Sequence, residues 1–345
     1  MSSFEWTVVG AGPAGLAAVG KLIDRGVKPS SIAWVDTEFQ VGDLGQKWYR
    51  VSSNTQVKLF TQFLEDCDAF RFELAPDFKI RHHDPEANCL LNDIAEPLRW
   101  ITQQFAATVQ TFKGQVSSLV LKNQCWEVEL GEERFLSRNV VLAIGSEPKG
   151  LDYPNLEEIP VDLALNDEKM LEQSLKGDTV AVFGSSHSSM IVLQNLLKTD
   201  AKRILNFYLH PLKYSLYLNE GMLYPNTGLR GAAAVWAREA IDGTWPDRLE
   251  RYHCTDPAFD KLLASCEKVV YTIGFQPRTP PLAPQFPELN YNDCNGIIAP
   301  GLFGLGIAYP QRVVDPFGNV EHNVGLWKFM NYLNSIMDLW MKYSP

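Results

Sequence analysis

The chain has 345 residues, 46% of them hydrophobic and 11% aromatic, which excludes a disordered protein and leaves apolar mass for two domains. Ordinary Gly and Pro counts, 24 and 21, exclude collagen-like sequence. With 31 basic against 41 acidic residues the net charge is −10, and no Lys/Arg run offsets it, so neither nucleic acid nor an anionic membrane is an expected partner.

The first predicted element is a short apolar strand, Trp6 to Val9, which runs into Gly10-Ala11-Gly12-Pro13-Ala14-Gly15. A helix to about Arg25-Gly26 follows, then a second strand from Ile32 to Val35 that ends on Asp36. Strand, G-x-G-x-x-G, helix, strand and acid in this register form a dinucleotide-binding fingerprint. Gly10 makes the turn, Gly12 lets the backbone approach a pyrophosphate, and Gly15 lets helix and strand pack closely. The helix N-terminus offers N–H groups to the phosphates, and Asp36 accepts from the ribose hydroxyls. The apolar run Thr7–Ile23 is broken by glycines and a proline and has no basic residue before it, so neither a signal peptide nor a membrane span is expected. Cytoplasmic location is the expectation.

Residues Gln115 to Leu130 alternate around a polar break at Lys122-Asn123-Gln124 and predict a hairpin, and Asn139 to Ile144 predicts a strand ending at Gly145. A second copy of the first unit then begins. Thr179 to Phe183 is a strand, Gly184-Ser185-Ser186-His187-Ser188-Ser189 is its turn, and a helix to about Leu197 leads to a strand from Arg203 to Leu209. Gly10 to Asp36 and Gly184 to His210 both span 26 positions, which aligns His210 with the acid and puts Ser186 and Ser189 in the other glycine places. A basic His210, with Lys213 nearby, favours a 2′-phosphate and so NADPH over NADH. Lys268 to Ile273 repeats the strand-to-glycine pattern, ending at Gly274, and a proline-rich connector runs from Pro277 to Pro287. An alanine-rich helix is expected from Ala232 to Ile241, and a last helix from about Asn323 to Met341 with apolar surface for domain packing or a homodimer contact. The six cysteines are far apart, without C-x-x-C, and six histidines complete no ligand set, so reduced thiols and no metal are expected.

The whole pattern resembles the two-dinucleotide-binding-domain flavoproteins. That resemblance implies an α/β fold of two Rossmann-like nucleotide-binding domains, with the NAD(P)H domain (153–287) inserted into an FAD domain (1–152 and 288–345). Ala143-Ile144-Gly145 and Thr272-Ile273-Gly274 look like the two linker segments, and Pro300 to Gly306 like the third FAD motif. By the same likeness Pro13, Ala14 and Val116 lie along the AMP half, Ala143 and Gly145 beside it, and Gly306, Ile307, Asn323 and Val324 along the ribityl chain and ring. The disulfide-reductase branch carries a cysteine pair that this chain lacks, and Ile307 stands where that branch has an acid.

Val41 to Lys58, with Lys47, Trp48 and Asn54-Thr55-Gln56-Val57-Lys58, is instead similar to the flavin-containing monooxygenases. Their asparagine beside the flavin matches Asn54, and their Gly-Gly-x-Trp turn places Lys47 and Trp48 on the flavin face. A neutral amide both donates and accepts there without adding charge. Their Phe-x-Gly-x-x-x-His signature is missing from the comparable stretch, Leu156 to Asn166. The implied activity is NADPH-dependent monooxygenation of a small nitrogen or sulfur nucleophile by an FAD enzyme. A dithiol-free NAD(P)H:acceptor flavin reductase and a non-catalytic flavin- or nucleotide-binding protein are the alternatives.

Overall fold

Strand β1 (Ser3–Val9) sits at the centre of a sheet because its inner residues are apolar on both faces, and Trp6, Val8 and Val9 are all buried. The computed structural model describes residues 2–219 and 221–345. Helix α1 (Pro13–Asp24) returns the chain to β2 (Ile32–Asp36), which lies parallel to β1. Its proline at N1 loses no helical hydrogen bond. Next come a short helix α2 (Gly42–Gln46), a two-stranded pair formed by residues 52–56 and 88–90, α3 (Val57–Glu65) and α4 (Leu91–Ala106).

Strand β3 (Gln110–Lys113) adds to the outer edge of β2. The hairpin β4 (Ser118–Lys122) and β5 (Cys125–Leu130) turns through Asn123 and Gln124, both with positive φ, and β5 runs antiparallel to β6 (Glu133–Leu142). β6 is the other parallel neighbour of β1.

A second, five-stranded sheet is wholly parallel. Its order is residues 157–158, β10 (Lys268–Tyr271), β7 (Thr179–Phe183), β8 (Arg203–Tyr208) and β9 (Leu249–His253). Helix α5 (His187–Leu197) joins β7 to β8, and α6 (Gly231–Trp236) packs beside it. The expected continuous helix to Ile241 instead widens after Trp236 into a π-helical turn, Ala237–Ile241.

After this sheet the chain returns to the first one. β11 (Leu302–Gly304) lies parallel to β6, with residues 297–299 antiparallel at the edge. The two crossings between sheets pair with each other, Ser146–Pro148 against Phe275–Pro277, as an antiparallel ribbon. The final helix, α7 (Leu326–Trp340), starts later than expected. Asn323 ends a strand, Val320–Asn323, and Gly325 at φ 144° turns the chain into the helix. Its apolar residues pack inward on α1 and α3, and Trp340 stacks on Phe303, which stacks on Trp6. That accounts for most of the helix's apolar surface inside one chain. Among the described residues no helix is long and apolar enough to cross a membrane.

Candidate functional site

The loop after β1 is held by its own backbone. Gly10 N–H donates to the Val35 carbonyl at 2.7 Å, and its φ of 111° is open to glycine. A Cβ on Gly10 would lie 2.2 Å from the Ala143 carbonyl oxygen, whereas one on Gly12 would meet nothing within 4 Å. Gly12 therefore faces open space at the start of α1, where the helix N–H groups point. Gly15 and Ala14 pack inside, and Gly306 comes close enough that a Cβ on it would touch the Ala14 methyl. The Asp36 carboxylate accepts from Ala11 N–H at 2.7 Å and from Glu38 and Phe39 N–H at 2.8 and 2.7 Å. It thus fixes the glycine loop as well as lining the space in front of it.

Two cavities open from this loop and share Gly10, Asp36, Gly42, Asp43, Ile144 and Arg278. One, of 360 Å³, is the more polar of the two, lined by polar and apolar groups alike, and is walled by Glu38, Lys47, Gln115 and Val116. The other, of 420 Å³, is largely apolar. Leu44, Trp48, Val51, Leu326 and Phe329 line it, with Pro13, Ala143, Gly145, Ile307 and Val324. Between the two, Arg278 Nη2 pairs with Asp43 Oδ2 at 2.7 Å. Together they make an elongated cleft with a more polar end, a cation and open glycine backbone at its middle, and an apolar end. FAD has that order of chemistry: adenosine, pyrophosphate, ring. The residues present fit the group.

Asn54 lies in the short strand 52–56 and lines the apolar cavity, its Oδ1 3.2 Å from Thr55 Oγ1. Trp48 lines the same cavity edge-on to Phe275, 6.0 Å between centroids. Lys47 corrects the expectation. It lines the more polar cavity and sits 3.4 Å from Asp43, because the short helix α2 turns it away from Trp48. Asn323 lines neither cavity and bonds Gln311 at 3.1 Å, since the helix begins only after Gly325.

The second loop repeats two backbone bonds of the first: Gly184 N–H donates to Phe207 at 2.9 Å, and Thr272 N–H donates to Phe183 at 2.8 Å, as Ala143 does to Val9. The strand register, however, differs from the equal 26-position spacing. Val9 pairs with Val35 but Phe183 with Phe207, so the residue in Asp36's place is Tyr208 and not His210. His210 is exposed two positions further on, and Ser185 Oγ donates to its carbonyl at 2.7 Å. Lys213 lies 5.0 Å over the Tyr224 ring. Ser186 stands at the start of α5 without making a side-chain capping bond and is exposed. Ser189 is fully buried and donates to the Gly184 carbonyl at 2.8 Å, so its hydroxyl closes the loop and is not offered to a ligand. Gly274 is exposed in the ribbon, where its carbonyl accepts from Lys149. Ser188 is the member of this loop that reaches the apolar cavity, together with Leu165 and Phe275.

Sequence reasoning missed Arg278, Arg251 and Lys328. Arg278 hides in the proline-rich connector. Arg251 stacks 4.6 Å over Tyr208 and gives its Nε to Asn206 at 2.7 Å, a pairing visible only once β8 and β9 are neighbours. Lys328 is far in sequence from Arg230 and carries no motif.

Fold and cleft together define a protein with two dinucleotide-binding units, one inserted in the other. The family model described as pyridine nucleotide-disulphide oxidoreductase matches residues 7–213. A curated relative, "Monooxygenase AgnR1" of Paecilomyces divaricatus, is 32% identical, with 97% of each chain covered. This chain belongs to the pyridine nucleotide-disulphide oxidoreductase family. Among solved structures it is similar to a flavin-containing monooxygenase from Stenotrophomonas maltophilia, at TM-score 0.63 and 14% identity, covering 99% of this chain and 98% of that one. It is also similar to the bacillithiol disulfide reductase of Staphylococcus aureus, at TM-score 0.62 and 11% identity, covering 99% of each.

Proposed function

We propose that the protein is an FAD-dependent monooxygenase reduced by NADPH, with residues 1–152 and 288–345 holding the flavin and 153–287 the nicotinamide nucleotide. The observation that carries the reading is the apolar cavity in which Asn54 and Trp48 stand beside Ile307, Val324 and the start of α7, with no cysteine in the lining among the described residues. The six cysteines are unpaired, and burial pushes the Cys89 and Cys266 thiols up to about 11, so they are poor nucleophiles. The monooxygenase name of the 32% identical relative supports the oxygen-using branch over the disulfide-reducing one.

Bound FAD supplies two-electron chemistry with the nicotinamide and the reaction of its reduced ring with oxygen. With FAD in the cleft, the Asn54 amide N–H would be available to donate beside the ring and its Oδ1 to accept, and as a neutral group it would add no charge. Trp48, Val51, Leu326 and Phe329 exclude water and hold a small molecule against the ring. Arg278 meets the pyrophosphate charge at the middle of the cleft. NADPH is preferred because Tyr208, and no carboxylate, stands at the ribose position, with the Arg251 guanidinium over its ring. The substrate is a small nitrogen or sulfur nucleophile that diffuses freely in a reducing cytoplasm.

The purified protein is expected to be yellow with one FAD per chain, and anaerobic NADPH is expected to bleach it faster than NADH does. A colourless protein that takes up no flavin would sink the proposal, and one bleached only by NADH would overturn the nucleotide preference.

A further inference from the structure

Three helix starts meet beside the strand that carries Asn54. His187 opens α5, Arg230 precedes α6, and Lys328 stands in the first turn of α7. The Ser52 backbone lies against His187, and a Cβ on Gly231 would come within 3.3 Å of the Ser53 carbonyl oxygen. Leu326 and Phe329, on either side of Lys328, line the apolar cavity.

Among the described residues the charges here do not balance. Glu321 faces both Arg230 and Lys328. Its carboxylate already accepts from Asn226 N–H at 2.8 Å, from the Asn226 amide at 3.1 Å and from the Thr227 hydroxyl at 2.6 Å. Lys328 is 6% exposed and donates to the Asn226 side chain. Among the described residues the buried Arg230 Nε has no acceptor, and the His187 ring meets only the Ser52 backbone. Burial and Arg230 hold His187 down to about 4, so near neutral pH it is uncharged and adds no third cation. Among the described residues two cations thus share one carboxylate, in a chain that is acidic overall. An N–H taken out of water without an acceptor is unfavourable, and a charged one more so, unless a ligand completes it.

We propose that Arg230 and Lys328 form an anion-recognition site at the edge of the apolar cavity, and that the substrate is an apolar molecule carrying a carboxylate or ionised phenol. The word substrate rests on the monooxygenase reading; the anion site does not. NADPH carries its negative charge at the pyrophosphate and the 2′-phosphate, which belong at the Gly184 loop and near Tyr208. Its nicotinamide end, the part that approaches Asn54, has none. The acidic group would anchor one end of the molecule while the apolar walls hold its nucleophilic end at the ring.

Titration of the FAD-loaded protein with benzoate and with its neutral analogue benzamide, read by the flavin difference spectrum, tests this. Benzoate is expected to bind about tenfold more tightly than benzamide, Arg230→Met to erase that preference, and Arg230→Lys to retain part of it. NADP+ affinity, measured on the same variants, is expected to stay within about twofold. Equal binding of benzoate and benzamide, or no benzoate binding at concentrations on the order of 10 mM, would overturn the site. So would an Arg230→Met protein that loses NADP+ affinity and keeps its benzoate preference, since the cation would then serve a nucleotide phosphate. A protein that prefers benzoate as expected but is not reduced by NADPH would refute the monooxygenase reading and leave the anion site standing.

Discussion

Gly10 and Gly12 stand two positions apart in one loop and should answer the same substitution in opposite ways. Gly12→Ala meets no neighbour and has an ordinary φ of −73°, so it should fold with an unchanged melting temperature and lose FAD affinity by about tenfold or more, its methyl standing where the pyrophosphate approaches. Gly10→Ala places a methyl against the Ala143 carbonyl at a φ that favours glycine, and should fail to accumulate as folded protein. Thermal melts and FAD titrations of the two variants check this. His187 has its own signature. Its pKa is pulled from 6.5 to about 4, so as pH falls through 6.5 the unfolded chain takes a proton that the folded one refuses. Stability present at pH 7 should therefore be lost between about pH 6.5 and 4, by up to about 3 kcal/mol, and His187→Gln should flatten that slope in urea titrations at pH 7 and pH 5. The residue scale is also where reading from sequence failed. Counting positions aligned His210 with Asp36, but pairing is set by which backbone groups bond, and β8 enters its ladder two residues earlier relative to its glycine.

The ribbon formed by Ser146–Pro148 and Phe275–Pro277 is the element through which the two sheets communicate, and it delivers Arg278 to the cleft. Arg278→Met removes the cation at the pyrophosphate and leaves Asp43 facing it. The variant should release FAD on dialysis while keeping its fold, with flavin affinity down by about tenfold or more, checked by ultrafiltration and far-ultraviolet circular dichroism. Elements with a strong local period were legible in the sequence. The strand–glycine–helix units and the Asn123-Gln124 hairpin stand close to where alternation and turn residues put them. The last helix was misplaced at its start, because the Val320–Asn323 strand pairs with residues 311–314 and no local pattern announces that partner. Arg278 was missed for a related reason. Its role comes from a chain crossing that brings residue 278 to Asp43, and proline-rich connectors carry no periodicity.

For the whole molecule, the insertion of one nucleotide unit into the other puts the starts of α5 and α7 and the Asn54 strand around one cavity. The site belongs to both units, since Leu165, Ser188 and Phe275 line it from the second and Asn54, Ile307 and Phe329 from the first. Motifs made the first unit's half of that cavity readable, with Asn54 and Ile307 near their places. The neighbouring cluster of Arg230, Lys328 and Glu321 depends on tertiary packing alone. If oxygen reacts with the reduced flavin in this shared cavity, its fate depends on the Asn54 amide. The test is to mix NADPH-reduced protein with oxygen and follow the return of oxidised-flavin absorbance in the wild type and in Asn54→Ala. The wild type should recover slowly, and the alanine variant about tenfold or more faster with more hydrogen peroxide released. Identical recovery rates and peroxide yields in the two proteins would contradict it.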